Sequence, residues 1–175
     1  TEKAVELAAI TNKPVYLRFG KRAMPFLKQL NEDVFEFGIG RIITEGEDVA
    51  IIACGETVCP ALEAAQLLKE DNITTTVISM HTIKPLDTDL LKKVASKCKV
   101  IVTVEEHSVY GGLGEACASY LLQNGLTRPF KIIGIPDEYT VTGSQQEILN
   151  HYGINKEGIA AQVRDLLHKE KAGDK

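Results

Sequence analysis

Apolar residues along the chain fall into short blocks whose internal spacing alternates between two patterns. Apolar or β-branched runs occur at residues 49–54, 73–79, 100–104 and 130–135. Runs of this length predict strands of a parallel sheet that is buried on both faces. Elsewhere, apolar residues recur at every third or fourth position, which predicts helices. The predicted helices are residues 57–70, 88–96, 115–124, 144–152 and 155–168.

The first 44 residues follow this alternation less closely. Residues 1–11 predict a helix, and residues 15–19 predict a short strand that a glycine stops. A weaker strand is predicted at residues 35–44, where two internal glycines favour an edge position or a bulge. The chain starts at Thr1 inside a predicted helix, so we expect it to be a cut-out of a longer protein or a processed one.

From residue 35 the order is one strand and then four strand–helix units, with two helices after the last strand. This order predicts an α/β sandwich with a mostly parallel sheet. Side chains are predicted to cap four helices. They are Thr57 or Glu56, Asp87, Ser144 (in a capping box with Glu147) and Asn155.

Charge and composition exclude several classes of protein. The net charge of −4 and the isoelectric point near 5.6 lack the basic footprint of a nucleic-acid-binding protein. No apolar run approaches the ~18 residues of a membrane span, and no signal-peptide pattern opens the chain. We therefore expect a cytoplasmic protein without nucleic-acid or membrane partners.

The four cysteines do not form a recognisable metal or disulfide pattern. Cys54, Cys59, Cys98 and Cys117 include no C-x-x-C pair, and each falls in or beside an apolar or helical stretch. This spacing favours small buried thiols in a reducing compartment over a zinc site or a disulfide framework. The four histidines are also too scattered to predict a metal site.

Residues 99–114 carry the most conspicuous cluster of polar groups. A predicted strand ends at Val104 and is followed by Glu105, Glu106 and His107, then by a glycine turn and a helix. Ligands and interfaces of parallel α/β proteins gather at the carboxyl ends of strands, so this loop is a candidate site. Neighbouring strand residues point to opposite faces, so the two glutamates do not predict a glycosidase pair. We expect one of them to hold a backbone N–H or a basic partner.

Catalytic interpretations of the same stretch are weaker. His107 lacks an accompanying Ser or Cys nucleophile signature, which favours a structural or interface role over that of a general base. The run Gly112–Cys117 fails as a dinucleotide fingerprint, because Cys117 replaces the third glycine and no acidic ribose ligand follows at the required distance. The glycines Gly111, Gly112 and Gly114 instead predict a close strand-to-helix approach.

The whole chain resembles the C-terminal section of the thiamine diphosphate-dependent transketolases. The matching stretches run in the family's order over nearly all 175 residues: AVELAA, PVYLRFGK, GEDVAIIACG, ALEAAQLLKE, MHTIKPLD, TVEEHSVYGGLGEA and GSQQEILNHYGINKEGIAAQV. The IKPLD phrase and the EEH…GGLGEA run are specific to this group. Deoxyxylulose-phosphate synthases and 2-oxoacid dehydrogenase β-subunits share weaker versions.

This resemblance implies a fold and a division into domains. The fold is a three-layer α/β/α sandwich with a five-stranded, mostly parallel sheet whose first strand is antiparallel. Residues 1–22 would be the end of the pyrimidine-binding domain, followed by a linker at 23–34. Residues 35–169 would form the C-terminal domain, with a tail at 170–175.

The resemblance also implies an activity that this chain does not complete. The family transfers a two-carbon ketol unit between sugar phosphates with thiamine diphosphate and Mg²⁺, and the residues that hold this cofactor lie upstream of Thr1. We therefore expect no catalytic residue, no metal site and no cofactor binding in this chain alone. Its expected partners are the remaining domains of the enzyme, in a homodimer, and the sugar phosphate substrates.

One substrate contact is expected to survive. Arg18 and Lys21 form a basic group just after a predicted strand, which the residues alone favour as a solvated loop. Family members carry a phosphate-binding arginine three residues after the position of Arg18, and Lys21 stands there. We expect Lys21 and Arg18 to bind the substrate phosphate, although lysine lacks the bidentate fork of arginine. The resemblance gives no catalytic role to the loop of Glu105, Glu106, His107, Gly111, Gly112 and Gly114, which is expected to be structural or an interface.

Three alternatives stay open on the sequence. The chain could be a fragment of a transketolase or a separate subunit of a split enzyme. It could be the C-terminal domain of a deoxyxylulose-phosphate synthase or of a 2-oxoacid dehydrogenase β-subunit. It could also be a standalone regulatory or ligand-binding α/β module that uses the loop after Val104.

Overall fold

The computed structural model describes residues 1–20, 24 and 35–173. A helix α1 (Glu2–Ile10) precedes the domain. The strands are β1 (Arg41–Thr44), β2 (Val49–Ala53), β3 (Thr75–Ser79), β4 (Val100–Ser108) and β5 (Phe130–Ile135). The remaining helices are α2 (Val58–Glu70), α3 (Thr88–Lys97), α4 (Leu113–Gln123), α5 (Gln145–His151) and α6 (Lys156–Gly173). A single 3₁₀ turn, Gly55–Thr57, lies between β2 and α2.

The five strands form one sheet in the order β1-β3-β2-β4-β5. Strands β2 to β5 are parallel to their neighbours, whereas β1 runs antiparallel to β3. This confirms the expected five-stranded, mostly parallel sheet with an antiparallel first strand. All five residues of the central strand β2 are completely buried, which explains their continuous apolar run.

Two hydrophobic clusters cover the two faces of the sheet. Val49 and Ile51 of β2 point to the side where α2 and α6 pack, and Ala50 and Ile52 point to the side of α3 and α4. Alternate residues of a strand face opposite sides, so one short strand contributes to both cores. The result is the expected three-layer arrangement with helices on each face.

Three helix starts have the predicted caps, whereas at the start of α2 the Thr57 side chain makes no capping hydrogen bond. The Asp87 carboxylate accepts the N–H of Leu90 at 2.9 Å. Ser144 and Glu147 form the reciprocal capping box at the start of α5. The Asn155 side chain accepts the N–H of Gly158 at 2.8 Å, at the start of α6. These three positions are where local sequence chemistry fixes element boundaries.

The structure corrects three element predictions. Residues 15–19 form no strand, because a strand needs a hydrogen-bonded neighbour and the described sheet does not include this segment. The first strand of the sheet is only β1, shorter than the predicted residues 35–44. Strand β4 continues through the polar residues to Ser108, which pairs with Ile135, so those residues are not a loop after the strand.

Other predictions concern the ends of the domain. The helix predicted for residues 1–11 is confirmed as α1. Helix α6 reaches Gly173, so the predicted end of this helix at residue 168 is wrong. Most of the predicted linker at 23–34 lies outside the described residues. Among the described residues, no helix is both long and apolar enough to cross a membrane.

An aspartate joins the beginnings of three strands at the opposite edge from the candidate site. Asp48 accepts the backbone N–H of Thr74 at 2.8 Å and the Thr74 hydroxyl at 2.6 Å. It also accepts a hydrogen bond from the Lys99 ammonium at 2.8 Å. The Lys99 hydrogen bond, with those from Thr74, lowers the pKa of Asp48 from 3.8 to about 2.

We expect Asp48→Asn to lower the free energy of unfolding at pH 7 by roughly 1–2 kcal/mol, because charge-assisted hydrogen bonds are lost. A carboxylate with a lowered folded-state pKa stabilises above its unfolded pKa and loses this contribution as the pH falls toward about 2. The native protein should therefore lose more stability than the variant between pH 5 and pH 2. Urea titrations across that range measure this difference, and parallel pH profiles would contradict the assignment.

Candidate functional site

The carboxyl ends of β2 and β4 bring two sets of polar side chains together. Successive residues of β4 face opposite sides, so Glu105 points toward α4 and Glu106 points toward the other face. On that second face lie Glu56, from the 3₁₀ turn after β2, and Gln145, from the first turn of α5. We call the group Arg18, Glu56, Glu106, His107 and Gln145 the edge cluster.

Glu105 caps helix α4 from inside the core. Its side chain is fully buried, and its two carboxylate oxygens accept the N–H groups of Leu113 at 2.9 Å and Gly114 at 2.8 Å. Unpaired N–H groups at a helix start and the positive end of the helix dipole both stabilise a carboxylate there. The expectation that one glutamate holds backbone N–H groups is confirmed for Glu105.

The glycines make room for this cap. A Cβ on Gly112 would overlap the Glu105 carboxylate, and a Cβ on Gly114 would come within 2.9 Å of the Thr103 hydroxyl and collide with Ile132. Gly111 has a φ of 74°, in the left-handed region that favours glycine. The glycine run therefore serves a close strand-to-helix approach, which agrees with the predicted structural corner.

Two thiols lie close to the same corner. Burial, followed by the charge of Glu105, raises the pKa values of Cys54 and Cys117 to about 12. Both side chains therefore stay protonated at neutral pH and are poor nucleophiles. The described residues contain no group of three or more His, Cys, Asp or Glu side chains able to hold a metal ion.

In the edge cluster, Arg18 lies against the end of β4. Its Nη1 donates to Glu106 Oε1 at 3.3 Å and to His107 Nε2. The Arg18 side chain is 50% exposed, whereas that of Glu106 is 11% exposed. Arg18 is thus brought to the predicted loop as the basic partner of Glu106.

A second carboxylate and an amide complete the cluster. The Gln145 amide donates to Glu56 at 2.7 Å and to Glu106 at 3.5 Å, so it bridges the two glutamates. Glu56 is 8% exposed, and its other oxygen, Oε1, is buried without a hydrogen-bond partner. That oxygen faces Gly20, where an added Cβ would overlap it.

The charges in the cluster perturb each other. Burial, together with the charge of Glu56, raises the pKa of Glu106, while Arg18 opposes the shift. Burial and the charge of Arg18 lower the pKa of His107, which keeps its imidazole neutral at pH 7. A neutral His107 can accept a hydrogen bond from the Arg18 guanidinium, whereas a protonated imidazole could not. This hydrogen bond agrees with the structural role expected for His107.

Sequence reasoning missed two members of the cluster. Neither Glu56 nor Gln145 is among the predicted site residues, although Glu56 is a polar residue that follows the buried strand β2. That position after a strand was the available signal. The structure brings Arg18 to this edge, whereas Lys21, the other predicted phosphate-binding residue, lies outside the described residues.

We expect Glu105→Gln to destabilise the domain by roughly 2–3 kcal/mol, because the amide replaces one accepting oxygen and removes the charge at the start of α4. Thermal or urea unfolding measures the effect. Glu63→Gln, at an exposed glutamate of α2, is the control and should change stability little. Equal stability of the two variants would show that the buried cap is unimportant.

Comparison with known proteins finds relatives that align with nearly the whole chain. The chain is 43% identical over 171 residues to a subunit of the apulose-4-phosphate transketolase of Phocaeicola vulgatus, covering 97% of this chain and 54% of that protein. It is 40% identical over 163 residues to 1-deoxy-D-xylulose-5-phosphate synthase of Magnetococcus marinus, covering 91% of this chain and 26% of that protein. The chain thus spans about half or less of the length of these curated relatives.

A solved structure matches the fold over the same extent. A protein described as a split gene transketolase, inactive beta4 tetramer, superposes with a TM-score of 0.84 at 37% identity. The match covers 94% of this chain and 53% of that one. The family model described as transketolase, C-terminal domain, matches residues 38–159, which include all five strands of the described sheet and the 3₁₀ turn. The chain belongs to the transketolase C-terminal domain family.

Proposed function

We propose that this chain is the C-terminal part of one subunit of a split transketolase, which transfers a two-carbon ketol unit between sugar phosphates. The observation that carries the proposal is the similarity to the Phocaeicola vulgatus transketolase subunit over 97% of the chain, including the segment before the family domain. The split gene transketolase supports it with similar coverage and a TM-score of 0.84.

In this proposal the cofactor belongs to other parts of the enzyme. Thiamine diphosphate, with Mg²⁺, supplies the carbanion chemistry when it is bound. This chain would then be inactive without its companion domains.

The surface of the N-terminal segment supports a partner. Ile10 is 77% exposed, Tyr16 is 87% exposed and Phe19 is 49% exposed. Exposed apolar side chains grouped on one segment are typical of a surface that another domain or subunit covers. We assign this surface to the remaining domains of the proposed enzyme, which would act as a dimer in the cytoplasm, in the pentose phosphate pathway.

We also propose that Lys21 and Arg18 contact the substrate phosphate. Arg18 supports this because its guanidinium stays half exposed beside the carboxyl ends of the strands, where α/β proteins bind ligands. Lys21 follows two residues after Phe19 and rests on the family resemblance.

Reconstitution tests the proposed function. The intact subunit that contains this chain is mixed with the diphosphate-binding subunit of the same organism, thiamine diphosphate and Mg²⁺, and ketol transfer between sugar phosphates is measured. We expect activity from the mixture and from neither subunit separately. Formation of 1-deoxy-D-xylulose 5-phosphate instead would favour the second candidate, a deoxyxylulose-phosphate synthase, which the 40% identity to that enzyme keeps open.

In the reconstituted enzyme, Lys21→Ala should raise KM for phosphorylated sugars about tenfold and leave KM for unphosphorylated sugars nearly unchanged, because one charged contact to the phosphate is removed. Steady-state kinetics with paired substrates measures the split. Lys13→Ala, at another lysine of the N-terminal segment, is the control. Equal changes for both substrate types would exclude a phosphate contact.

A further inference from the structure

We propose that Glu106 is a positioning residue that, with Glu56 and Gln145, fixes the Arg18 guanidinium and the backbone at Gly20 against the carboxyl edge of the sheet. This segment leads directly to Lys21. The contact between this segment and the sheet is inferred from the described residues alone. Its effect on substrate binding rests on the proposed function.

The first step is the contact between Arg18 and β4. Glu106 lies in the last part of a strand whose preceding residues are completely buried, so its backbone is rigidly placed. Its carboxylate is largely buried and accepts a hydrogen bond from Arg18 Nη1 at 3.3 Å. The His107 side chain accepts a hydrogen bond from the same Nη1. Both acceptors lie on adjacent residues of one strand, so they fix the position of the Arg18 Nη1 group at the end of β4.

The second step is the close packing of Gly20 on Glu56. Glu56 Oε1 is buried without a hydrogen-bond partner, and an added Cβ at Gly20 would overlap it. A side chain at this position would push the segment off the 3₁₀ turn. The segment therefore contacts the sheet edge at two points: Arg18 is hydrogen-bonded to Glu106 in β4, and Gly20 packs closely against Glu56 after β2.

The third step concerns charge. Glu56 and Glu106 bring two carboxylates to one side of the sheet, and Gln145 donates to both. Two neighbouring carboxylates disfavour each other's charge, and a guanidinium beside them relieves this repulsion. Arg18 thus offsets part of the cost of burying Glu106, which ties the N-terminal segment energetically to the domain.

Limited trypsin digestion of the intact subunit tests the contact without any activity. Trypsin cleaves after Arg18 only when the segment leaves the sheet edge. Glu106→Gln retains the side-chain volume and removes the charge, and it should accelerate cleavage of the Arg18–Phe19 bond about fivefold, as read by mass spectrometry. Gly20→Ala should accelerate the same cleavage through the overlap with Glu56.

The controls separate a local effect from unfolding. Cleavage after Lys131 in β5 should keep its native rate in both variants, and Glu63→Gln should leave both sites unchanged. Unchanged cleavage after Arg18 in Glu106→Gln and Gly20→Ala overturns the proposal. Equal acceleration at Lys131 also overturns it, because the variants then act on global stability.

Kinetics of the reconstituted enzyme tests the consequence for substrate. Glu106→Gln should raise KM for phosphorylated sugars about threefold to fivefold with kcat unchanged, since positioning and not chemistry is disturbed. A lowered KM, or an equal loss of kcat, contradicts a positioning role. Absence of ketol transfer in the native mixture would refute the proposed function, whereas the trypsin result would still decide whether Glu106 holds the segment.

Discussion

A buried carboxylate at a helix start sets the geometry of the corner between β4 and α4. Glu105 is fully buried in the sheet, and both of its oxygens accept N–H groups from the first turn of α4. Burying this charge is costly unless every oxygen is paired, so the chain must approach closely. Gly112 and Gly114 follow from this requirement, because a Cβ at either position would overlap a neighbour.

The same strand then arranges the opposite face. Because side chains alternate along β4, fixing Glu105 toward α4 points Glu106 toward Glu56 and Gln145. The two glutamates, adjacent in sequence, thereby separate into different roles: one caps a helix and the other meets Arg18. The polar surface at the carboxyl edge of the sheet depends on this alternation, as does its link to the N-terminal segment.

Local chemistry and buried apolar runs made the fold predictable. The strands β2 to β5, the caps at Asp87, Ser144 and Asn155, and the parallel order could be predicted because each depends on a short stretch of sequence. The length of β4 could not, because polar residues extend it only by pairing with β5. The segment at residues 15–19 has strand-like composition but no place in the described sheet.

The edge cluster was also only partly predictable from the sequence. A pattern of polar residues after a strand identified Glu105, Glu106 and His107, but not which glutamate faced which side. Glu56 and Gln145 are separated from Glu106 by 50 and 39 positions, and their contact depends on the order of the strands in the sheet. Such contacts between distant residues require the tertiary arrangement, which local patterns do not contain.

Hydrogen exchange of the amides of Leu113 and Gly114 tests most directly whether this corner is built on Glu105. First-turn amides of a helix lack intrahelical acceptors and normally exchange fast, as expected for Glu157 at the exposed start of α6. If the buried carboxylate holds them, Leu113 and Gly114 should exchange as slowly as the core amides of β4. Exchange as fast as that of Glu157 would contradict this role of Glu105.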